Sequence, residues 1–212
     1  MNEKFLKLNQ EKQQRILEAA ILEFAEQGYT KASTDNIVIN AGISKGSLFN
    51  YFTNKKTLYE DVLDYIIAKS EEEVIKQVKE IQLEDFYERL KQIIVLKHNY
   101  INQNKKETKV LRDYLYKKNH VVEERVKAYN RKQAAYVNKY LISYLDEDLL
   151  KQEVTIEDVI FLTTVVLQAV MNRQDQIIIM GLEEKNKLEV ENQLDKYINI
   201  LKYGMYKNNS TR

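Results

Sequence analysis

The sequence predicts an all-α protein, with a three-helix helix-turn-helix domain over residues 1–53 followed by a larger helical domain over residues 54–212. Three observations lead to this fold class. The 212 residues include no proline and only five glycines, so little interrupts a helical hydrogen-bond ladder. Apolar residues recur at helical spacing along most of the chain. Serine and glycine at the ends of the first apolar repeats mark where helices begin and end.

The first predicted helix covers residues 11–27 and is amphipathic. Its apolar side consists of Ile16, Leu17, Ala20, Ile21 and Phe24. Gly28 is expected to end this helix, because glycine adopts the left-handed conformation without a Cβ clash. Tyr29 follows as an expected core residue.

Two short helices joined by a tight turn are predicted over residues 33–52. Ser33 is the expected N-cap of the first helix. Gly42 should end that helix, and Ser44 should cap the second one, which runs from residue 45 to about Tyr51. Two helices with a short glycine-containing turn form the helix-turn-helix unit. The apolar stripe of the first helix is Ile37, Val38 and Ala41.

The second helix of this pair has a predicted inner and outer face. Leu48 and Phe52 point inward at i, i+4 spacing, with Phe24 and Ile37 as core partners. Small, polar, basic and aromatic side chains remain, and groups of this kind fit a DNA groove. The positions expected to face outward or sideways are Lys45, Gly46, Ser47, Phe49, Asn50 and Tyr51.

Helical spacing predicts six further helices in the rest of the chain, which with the three of the first domain makes about nine in total. They cover residues 55–81, 84–103, 106–117, 120–145, 156–173 and 184–207. In the 120–145 helix, Ala134 and Val137 are among the positions predicted to be buried. Thr155 and Asp158 resemble a capping box at the start of the 156–173 helix. That helix is apolar nearly all round, so one face should pack inside its own chain and the other needs a second partner.

Composition and charge exclude several classes of function. Basic and acidic residues number 33 and 32, so net charge alone does not indicate nucleic-acid binding. Residues 28–56 nevertheless hold four lysines and one aspartate, a net charge of +3, whereas residues 57–83 carry −4. The absence of cysteine and the presence of only two histidines argue against an enzyme, a cofactor or a metal site. Without a signal peptide or membrane span, a soluble, cytoplasmic protein is expected.

One stretch resembles a known family. Residues 19–20 read AA, residues 24–29 read FAEQGY, residues 41–52 read AGISKGSLFNYF, and residues 54–58 read NKKTL. Ser33, Thr34 and Ile37 lie between these segments. The succession resembles the DNA-binding domain of the TetR family of bacterial transcriptional regulators over about residues 11–60. The remainder carries no family motif, which also resembles that family.

The resemblance implies that residues at the starts of the short helices contact DNA. Phosphate contacts would come from Ser33, Thr34 and Lys55, and major-groove contacts from the second short helix. Phe49 stands where the family often has tyrosine and lacks the hydroxyl for a phosphate, whereas Asn50 could pair with adenine. The full set of predicted DNA-binding residues is Ser33, Thr34, Ser44, Lys45, Gly46, Ser47, Phe49, Asn50, Tyr51 and Lys55.

The resemblance also implies a repressor that forms a homodimer through the helices at about 156–173 and 184–207. The dimer would place two reading helices on one face of a double-stranded DNA operator. A small-molecule effector of unknown identity would bind among the middle helices and release the operator. The candidate effector residues are His98, Tyr100, Tyr114, Tyr136 and Gln168.

The alternative function is that of a helical adaptor for protein interactions. Such an adaptor would not need the outward-facing residues of 44–51.

Overall fold

The computed structural model describes residues 2–116, 123–179 and 187–207. The all-α prediction is confirmed, since these residues form ten α-helices where about nine were expected, with one isolated bridge between Leu150 and Tyr206. The helices are α1 Glu3–Leu6, α2 Gln10–Lys31, α3 Thr34–Ala41, α4 Lys45–Tyr51, α5 Lys55–Lys79, α6 Phe86–Gln103, α7 Lys105–Tyr116, α8 Glu123–Tyr140, α9 Ile156–Ile179 and α10 Lys187–Met205. Two short 3-10 turns, Ile142–Tyr144 and Glu147–Leu149, follow α8.

The chain packs as two compact units. The first unit comprises Met1–Gln77 and His98–Ala128, and the second unit comprises Val78–Lys97 and Tyr129–Arg212. These units follow packing rather than sequence motifs. The predicted division into domains 1–53 and 54–212 therefore stays a prediction.

The core of the first unit is built from the apolar faces of its short helices. Phe24, Ile37, Leu48 and Phe52 are each at most 1% exposed, as the helical spacing predicted. The short α1 helix, which was not predicted from the sequence, adds a fully buried Phe5 to the same cluster. The helix-turn-helix region is therefore held together by side chains from α1 to α4.

Helix ends in this unit follow local chemistry. The Ser33 Oγ accepts a hydrogen bond from the backbone N–H of Asp35 at 3.2 Å and caps α3, as predicted. Gly42 ends α3 with a φ of +64°, in the left-handed region that glycine adopts without strain. Gly28 has a φ of +69° and breaks the helical geometry at the predicted position, although helical residues resume and α2 continues to Lys31.

The core of the second unit joins α6, α9 and α10. Val159 of α9 and Phe86 of α6 are buried in one cluster with Leu194, Ile198, Leu201 and Met205 of α10. The Tyr87 hydroxyl donates to the Met205 Sδ at 3.1 Å, and burial raises the pKa of Tyr87 to about 12. The last two long helices therefore pack on each other within one chain.

A buried arginine, Arg89, joins two chain segments of the second unit. Its Nη1 donates to the carbonyl oxygens of Ile81 at 3.0 Å and Leu83 at 3.1 Å, and its Nε donates to the carbonyl of Tyr140. The guanidinium carbon lies 3.8 Å from the centroid of the Tyr144 ring. Carbonyls beyond a helix C-terminus lack intrahelical donors, so Arg89 satisfies oxygens that the fold would otherwise leave buried and unbonded.

Two predictions about helices of the second unit are corrected by the structure. Helix α9 continues to Ile179 rather than to about residue 173, because no glycine or proline interrupts this stretch. The α8 face predicted to be buried is open, since Ala134 is exposed and Val137 is 40% exposed. Helical spacing identifies an apolar stripe but not whether the same chain covers it.

The apolar α9 helix leaves part of its surface open. Phe161 is 66% exposed, Leu162 43% and Val165 48%, although Val159 on the same helix is fully buried. Tyr203 of the neighbouring α10 helix is 67% exposed. Both helices therefore pack one face inside the chain and present large apolar side chains on another.

Candidate nucleic-acid interface

The start of α4 is an exposed polar surface. The Ser44 Oγ accepts from the Ser47 backbone N–H at 3.1 Å, which confirms the predicted N-cap. The two serine hydroxyl oxygens lie 2.9 Å apart, so the side chains brace each other. The backbone N–H groups of Lys45 and Gly46 lie in the first turn, where a helix offers no internal acceptor.

Lys45 forms an ion pair at this surface. Its Nζ lies 2.7 Å from the Asp35 Oδ1, and both side chains are more than half exposed. A surface pair of this kind contributes only about 0–1 kcal/mol, so a stronger anion can replace the carboxylate. The net charge of +3 over residues 28–56 already counts Asp35, so with this pair formed it comes from the three other lysines of that stretch.

Gly46 is a glycine that its own fold does not require. A Cβ at this position would meet no nearer protein atom than the Ser44 Oγ, 4.0 Å away, and its φ is not in the left-handed region. Glycine within a helix costs roughly 0.5–1 kcal/mol relative to alanine. The chain therefore keeps a bare, exposed stretch of backbone at a small cost in stability.

A buried carboxylate fixes the start of α3. Glu23 of α2 is only 5% exposed, and its Oε1 accepts from the Ser33 backbone N–H at 2.8 Å and from the Asn36 Nδ2 at 3.3 Å. Ser33 and Thr34 are both partly exposed beside it. Glu23 was not predicted from the sequence, although an acid next to Phe24 on an apolar face was the available signal.

The second half of α4 presents two side chains outward, as predicted. Phe49 is 39% exposed. Asn50 is exposed, and its Oδ1 accepts a hydrogen bond from the Lys4 Nζ at 2.7 Å. The exposed surface of α4 therefore runs from Lys45 to Asn50.

Tyr51 lies in the core rather than on the outer face of α4. It is 9% exposed, and its ring meets that of Phe5 edge-on at a centroid distance of 6.2 Å. The expectation that it faces outward or sideways is wrong, because α1 covers this side of α4. A DNA contact by Tyr51 stays a prediction, and it would use the small exposed fraction of the side chain.

Lys55 is engaged with the end of α2. Its Nζ donates to the carbonyl oxygens of Thr30 at 3.2 Å and Ala32 at 3.0 Å, and it lies 5.2 Å from the centroid of the Tyr29 ring. These contacts hold the start of α5 against the segment that leads into α3. A phosphate contact by Lys55 stays a prediction, since the ammonium already has two acceptors.

This arrangement of helices matches a known family. Residues 16–62 match the model of the bacterial regulatory proteins of the tetR family. The region is a TetR-family helix-turn-helix domain. Members of this family are transcription regulators, which agrees with the prediction that the chain is not an enzyme.

Similar proteins agree with the family. The uncharacterized HTH-type transcriptional regulator YerO of Bacillus subtilis (strain 168) is 29% identical over 123 residues, which cover 50% of this chain and 41% of that protein. The match therefore spans less than half of this curated relative. A TetR family transcriptional regulator from Chloroflexus aurantiacus J-10-FL has a TM-score of 0.70 at 20% identity, over 98% of this chain and 99% of that chain.

A second solved structure with the same fold carries a ligand. FadR from Bacillus subtilis, in complex with stearoyl-CoA, has a TM-score of 0.68 at 16% identity, over 91% of this chain and 99% of that chain. At identities this low the likeness shows the fold alone. The TetR-type fold thus extends well beyond the matched helix-turn-helix domain.

The predicted effector residues have different environments. In the first unit, His98 Nε2 lies 2.9 Å from the Asn102 side-chain nitrogen, and Tyr114 is 9% exposed within the core. In the second unit, Tyr136 is half-buried beside the Tyr140 ring. The side chain of Gln168 lies outside the described residues. A shared pocket formed by these residues stays a prediction.

Tyr100 is the predicted effector residue with an unsatisfied polar atom. Its hydroxyl is buried and has no hydrogen-bond partner among the described residues. Burial, followed by the nearby carboxylates of Glu73 and Glu107, raises the pKa of Tyr100 to about 12. A buried hydroxyl without a partner is unfavourable, so this group has bonding capacity to offer a ligand.

Lys97 has an environment that the sequence did not reveal. Its side chain reaches solvent, yet the surrounding protein desolvates the ammonium and lowers its pKa.

In the described part of the chain, no group of three or more metal-ligating side chains lies close enough together to hold an ion. No described helix combines the length and apolar character needed to cross a membrane.

Proposed function

We propose that this protein is a sequence-specific DNA-binding transcriptional regulator, a repressor that a small-molecule effector releases from its operator. Helix α4 would enter the major groove, and the start of α3 would contact the phosphate backbone. Acting on chromosomal DNA, the protein would work in the cytoplasm. The rival proposal, a helical adaptor without specific DNA binding, would leave the exposed surface of α4 without a role.

Gly46 is the observation that best supports this proposal. Nothing in its own fold occupies the space where a Cβ would lie, so packing within the chain does not explain the glycine. An external surface that approaches the backbone closely would explain it, and the exposed Lys45 and the partly exposed Ser47 supply donors for phosphate or base edges. An adaptor would gain stability from alanine at this position.

A homodimer through α9 and α10 is part of the proposal. The exposed Phe161 and Val165 lie one turn apart on α9, and Ile200 and Tyr203 of α10 are 58% and 67% exposed. Pairing these surfaces between two copies would bury apolar area that a single chain leaves in water. Two copies would also present two α4 helices to half-sites spaced by roughly 34–36 Å or a multiple of it.

An acyl-CoA is the first effector class to test. The structurally similar FadR was solved with stearoyl-CoA, an anionic molecule with a long apolar chain. The unsatisfied Tyr100 hydroxyl is a group that could bind a polar atom of such a molecule. A thermal-shift screen with stearoyl-CoA and with free stearate should raise the melting temperature if either binds the native state.

A single substitution, Gly46→Ala, tests the DNA-binding role. We expect it to stabilise the protein by roughly 0.5–1 kcal/mol, because alanine favours helix. It should also weaken binding to the operator by at least about tenfold, because the new methyl group would separate α4 from DNA. Denaturant unfolding measures the first effect, and electrophoretic shift with DNA upstream of the protein's own gene measures the second.

Two controls make this experiment decisive. Gly204→Ala is a matched change, since Gly204 is exposed and helical and a Cβ there would meet nothing within 4 Å, so it should leave operator binding unchanged in a dimer verified by sedimentation. Lys45→Ala should weaken specific binding without unfolding the chain. Wild-type operator affinity in Gly46→Ala would overturn the role of Gly46. Absence of any specific shift by a folded wild-type dimer would favour the adaptor.

A further inference from the structure

The short N-terminal helix α1 lies against the proposed recognition helix. We propose that Lys4 of α1 is a positioning residue that orients the Asn50 side chain, so that its amide N–H groups rather than its oxygen are directed at the groove. The consequence is a preference for guanine over adenine at the base that Asn50 meets. This inference rests on the proposed DNA-binding function and adds a specificity determinant to it.

Helix α1 is fixed to the domain by its one buried side chain. Phe5 is fully buried, and its ring centroid lies 5.0 Å from that of Phe52 and 6.2 Å from that of Tyr51. The Gln13 Nε2 of α2 donates to the carbonyl oxygen of Leu6 at 3.1 Å. A helix of four residues has little stability alone, so these tertiary contacts hold α1 in place.

Two side chains of this segment reach the end of α4. The Lys4 Nζ donates to the Asn50 Oδ1 at 2.7 Å, and the Asn2 Nδ2 lies 3.4 Å from the Asn50 carbonyl oxygen. The Asn2 side chain also caps α1 by accepting from the Lys4 backbone N–H at 2.6 Å. The Asn2 cap therefore fixes the backbone of Lys4, and the hydrogen bond to Asn50 places its ammonium at the exposed end of α4.

The chemistry of lysine determines which way the Asn50 amide points. An ammonium has only donors, so the atom that faces Lys4 must be the carbonyl oxygen of the amide. The Asn50 Nδ2, with its two hydrogens, is then directed away from Lys4 on an exposed side chain and can turn toward DNA. The pair as a whole offers the groove an amide donor and a cation, with one lone pair of the amide oxygen already bound and that oxygen turned toward Lys4.

This orientation changes what Asn50 can read. Pairing of asparagine with adenine uses both the amide oxygen and the amide nitrogen, because the adenine edge offers the N7 acceptor and the N6 donor. Guanine offers two acceptors, N7 and O6, and needs donors alone. With its oxygen bound to Lys4, Asn50 matches guanine better than the adenine that was expected from the sequence.

Three variants and a panel of operators test this proposal. Lys4→Met removes the donor at an exposed position, Lys4→Arg restores a donor, and Lys7→Met removes a charge from the same exposed segment without touching Asn50. Fluorescence anisotropy would measure the affinity of each full-length variant for the operator and for single-base substitutions. Thermal melting would verify that each variant remains folded.

We expect Lys4→Met to lower the guanine-over-adenine preference at one operator position by about tenfold. Lys4→Arg should recover most of that preference. Lys7→Met should change affinity by the same factor on every operator, with a smaller salt dependence, because only a charge is lost. Combining Lys4→Met with Asn50→Ala should give no loss of preference beyond that of Asn50→Ala alone, since Lys4 acts through Asn50.

The outcomes separate this inference from the function on which it rests. If the wild-type dimer binds no DNA specifically, the proposed function and the inference both fail. If it binds specifically but Lys4→Met retains the wild-type base preference, the inference alone is overturned. The inference is also overturned if Lys7→Met changes the base preference as Lys4→Met does, because the effect would then be one of charge rather than of Asn50 orientation.

Discussion

The helix-turn-helix region and the pair of helices α9 and α10 bury apolar side chains to very different extents. In the first, Phe24, Leu48 and Phe52 are each 1% exposed within a single chain. In the second, Phe161 is 66% exposed and Tyr203 67%, although both helices contribute buried residues to a core. One region is complete within its chain, whereas the other keeps an apolar surface in water.

This difference teaches how to interpret an apolar pattern. In α3 and α4 most apolar positions form one stripe that neighbouring helices of the same chain cover, and Ile39 and Phe49 are the exposed exceptions. In α9 apolar residues surround most of the helix, and the described part of the chain covers only one face. A single apolar stripe on a helix therefore predicts packing into the core of its own chain. Apolar residues all round a helix predict, in addition, a second surface that packs against the faces left exposed.

The largest expected effect follows from the completeness of the helix-turn-helix core. Phe52→Ala should destabilise this region by about 3–5 kcal/mol, because it removes a fully packed ring and leaves a cavity beside Phe5. Native-state hydrogen exchange of the α3 and α4 amides measures the local free energy of opening. The matched change Phe49→Ala, at a side chain that is 39% exposed, should have a much smaller effect.

A small effect of Phe52→Ala would break the comparison. If Phe52→Ala and Phe49→Ala opened α3 and α4 equally easily, the region would not depend on its own core. It would then resemble α9 in needing a partner surface. The two variants lie only three positions apart on the chain, so local sequence effects are closely matched.

The second prediction concerns the apolar surface of α9. Phe161→Asp should weaken the dimer by about 30-fold, corresponding to roughly 2 kcal/mol, because it places a carboxylate in a surface proposed to be dehydrated. Stability of the isolated chain should change little, since the side chain is 66% exposed there. Sedimentation over a range of protein concentrations gives the dissociation constant.

The same substitution in the other region provides the control. Phe49→Asp also places a carboxylate at an exposed aromatic position, but in the helix-turn-helix region, and it should leave the sedimentation profile unchanged. A wild-type protein that is monomeric at micromolar concentration would refute the dimer. Unchanged dimerisation in Phe161→Asp would mean that another surface pairs the chains.

Local signals in the sequence predicted the helix ends well. Ser33, Gly42 and Ser44 have the expected conformations and contacts because capping depends on residues within three or four positions. The same local chemistry operates at the start of α5, where the Asn54 Oδ1 accepts from the Thr57 backbone N–H at 2.9 Å. The same local rules were sufficient to find the two helices that form the candidate DNA surface.

Contacts between distant segments could not be predicted in this way. Tyr51 is buried because Phe5, far earlier in the chain, packs against it, and Lys4 reaches Asn50 through the same packing. Arg89 bonds the carbonyl of Tyr140 although nothing near either residue in the sequence indicates it. Each of these pairings depends on tertiary geometry, which helical periodicity and capping signals do not contain.

The smallest expected effect concerns the N-terminal cap of α9, the helix whose apolar surface is only partly covered within the chain. The Asp158 carboxylate accepts from the Thr155 backbone N–H at 2.9 Å and from its hydroxyl at 2.7 Å, and the Thr155 Oγ1 accepts from the Asp158 N–H at 3.2 Å. The predicted capping box at the start of α9 is thus confirmed. The hydrogen bonds from the Thr155 backbone, and then from its side chain, hold the pKa of Asp158 below its ordinary value.

The sign of the pH dependence follows from this lowered pKa. The folded state favours the ionised carboxylate, so its stabilising contribution is complete above the pKa of the unfolded chain, about 4, and is lost as pH falls through the lower pKa of the folded state. Asp158→Asn should therefore unfold more easily than wild type at pH 7, and the difference in denaturant midpoint between the two proteins should shrink below about pH 4.

The control is Glu157→Gln, one position earlier in the same exposed first turn. It removes a charge without removing a hydrogen bond of the capping box. An equal midpoint shift in both variants would assign the effect to the helix dipole, whereas a larger, pH-dependent shift in Asp158→Asn alone would show that caps act locally even where the core needs a partner.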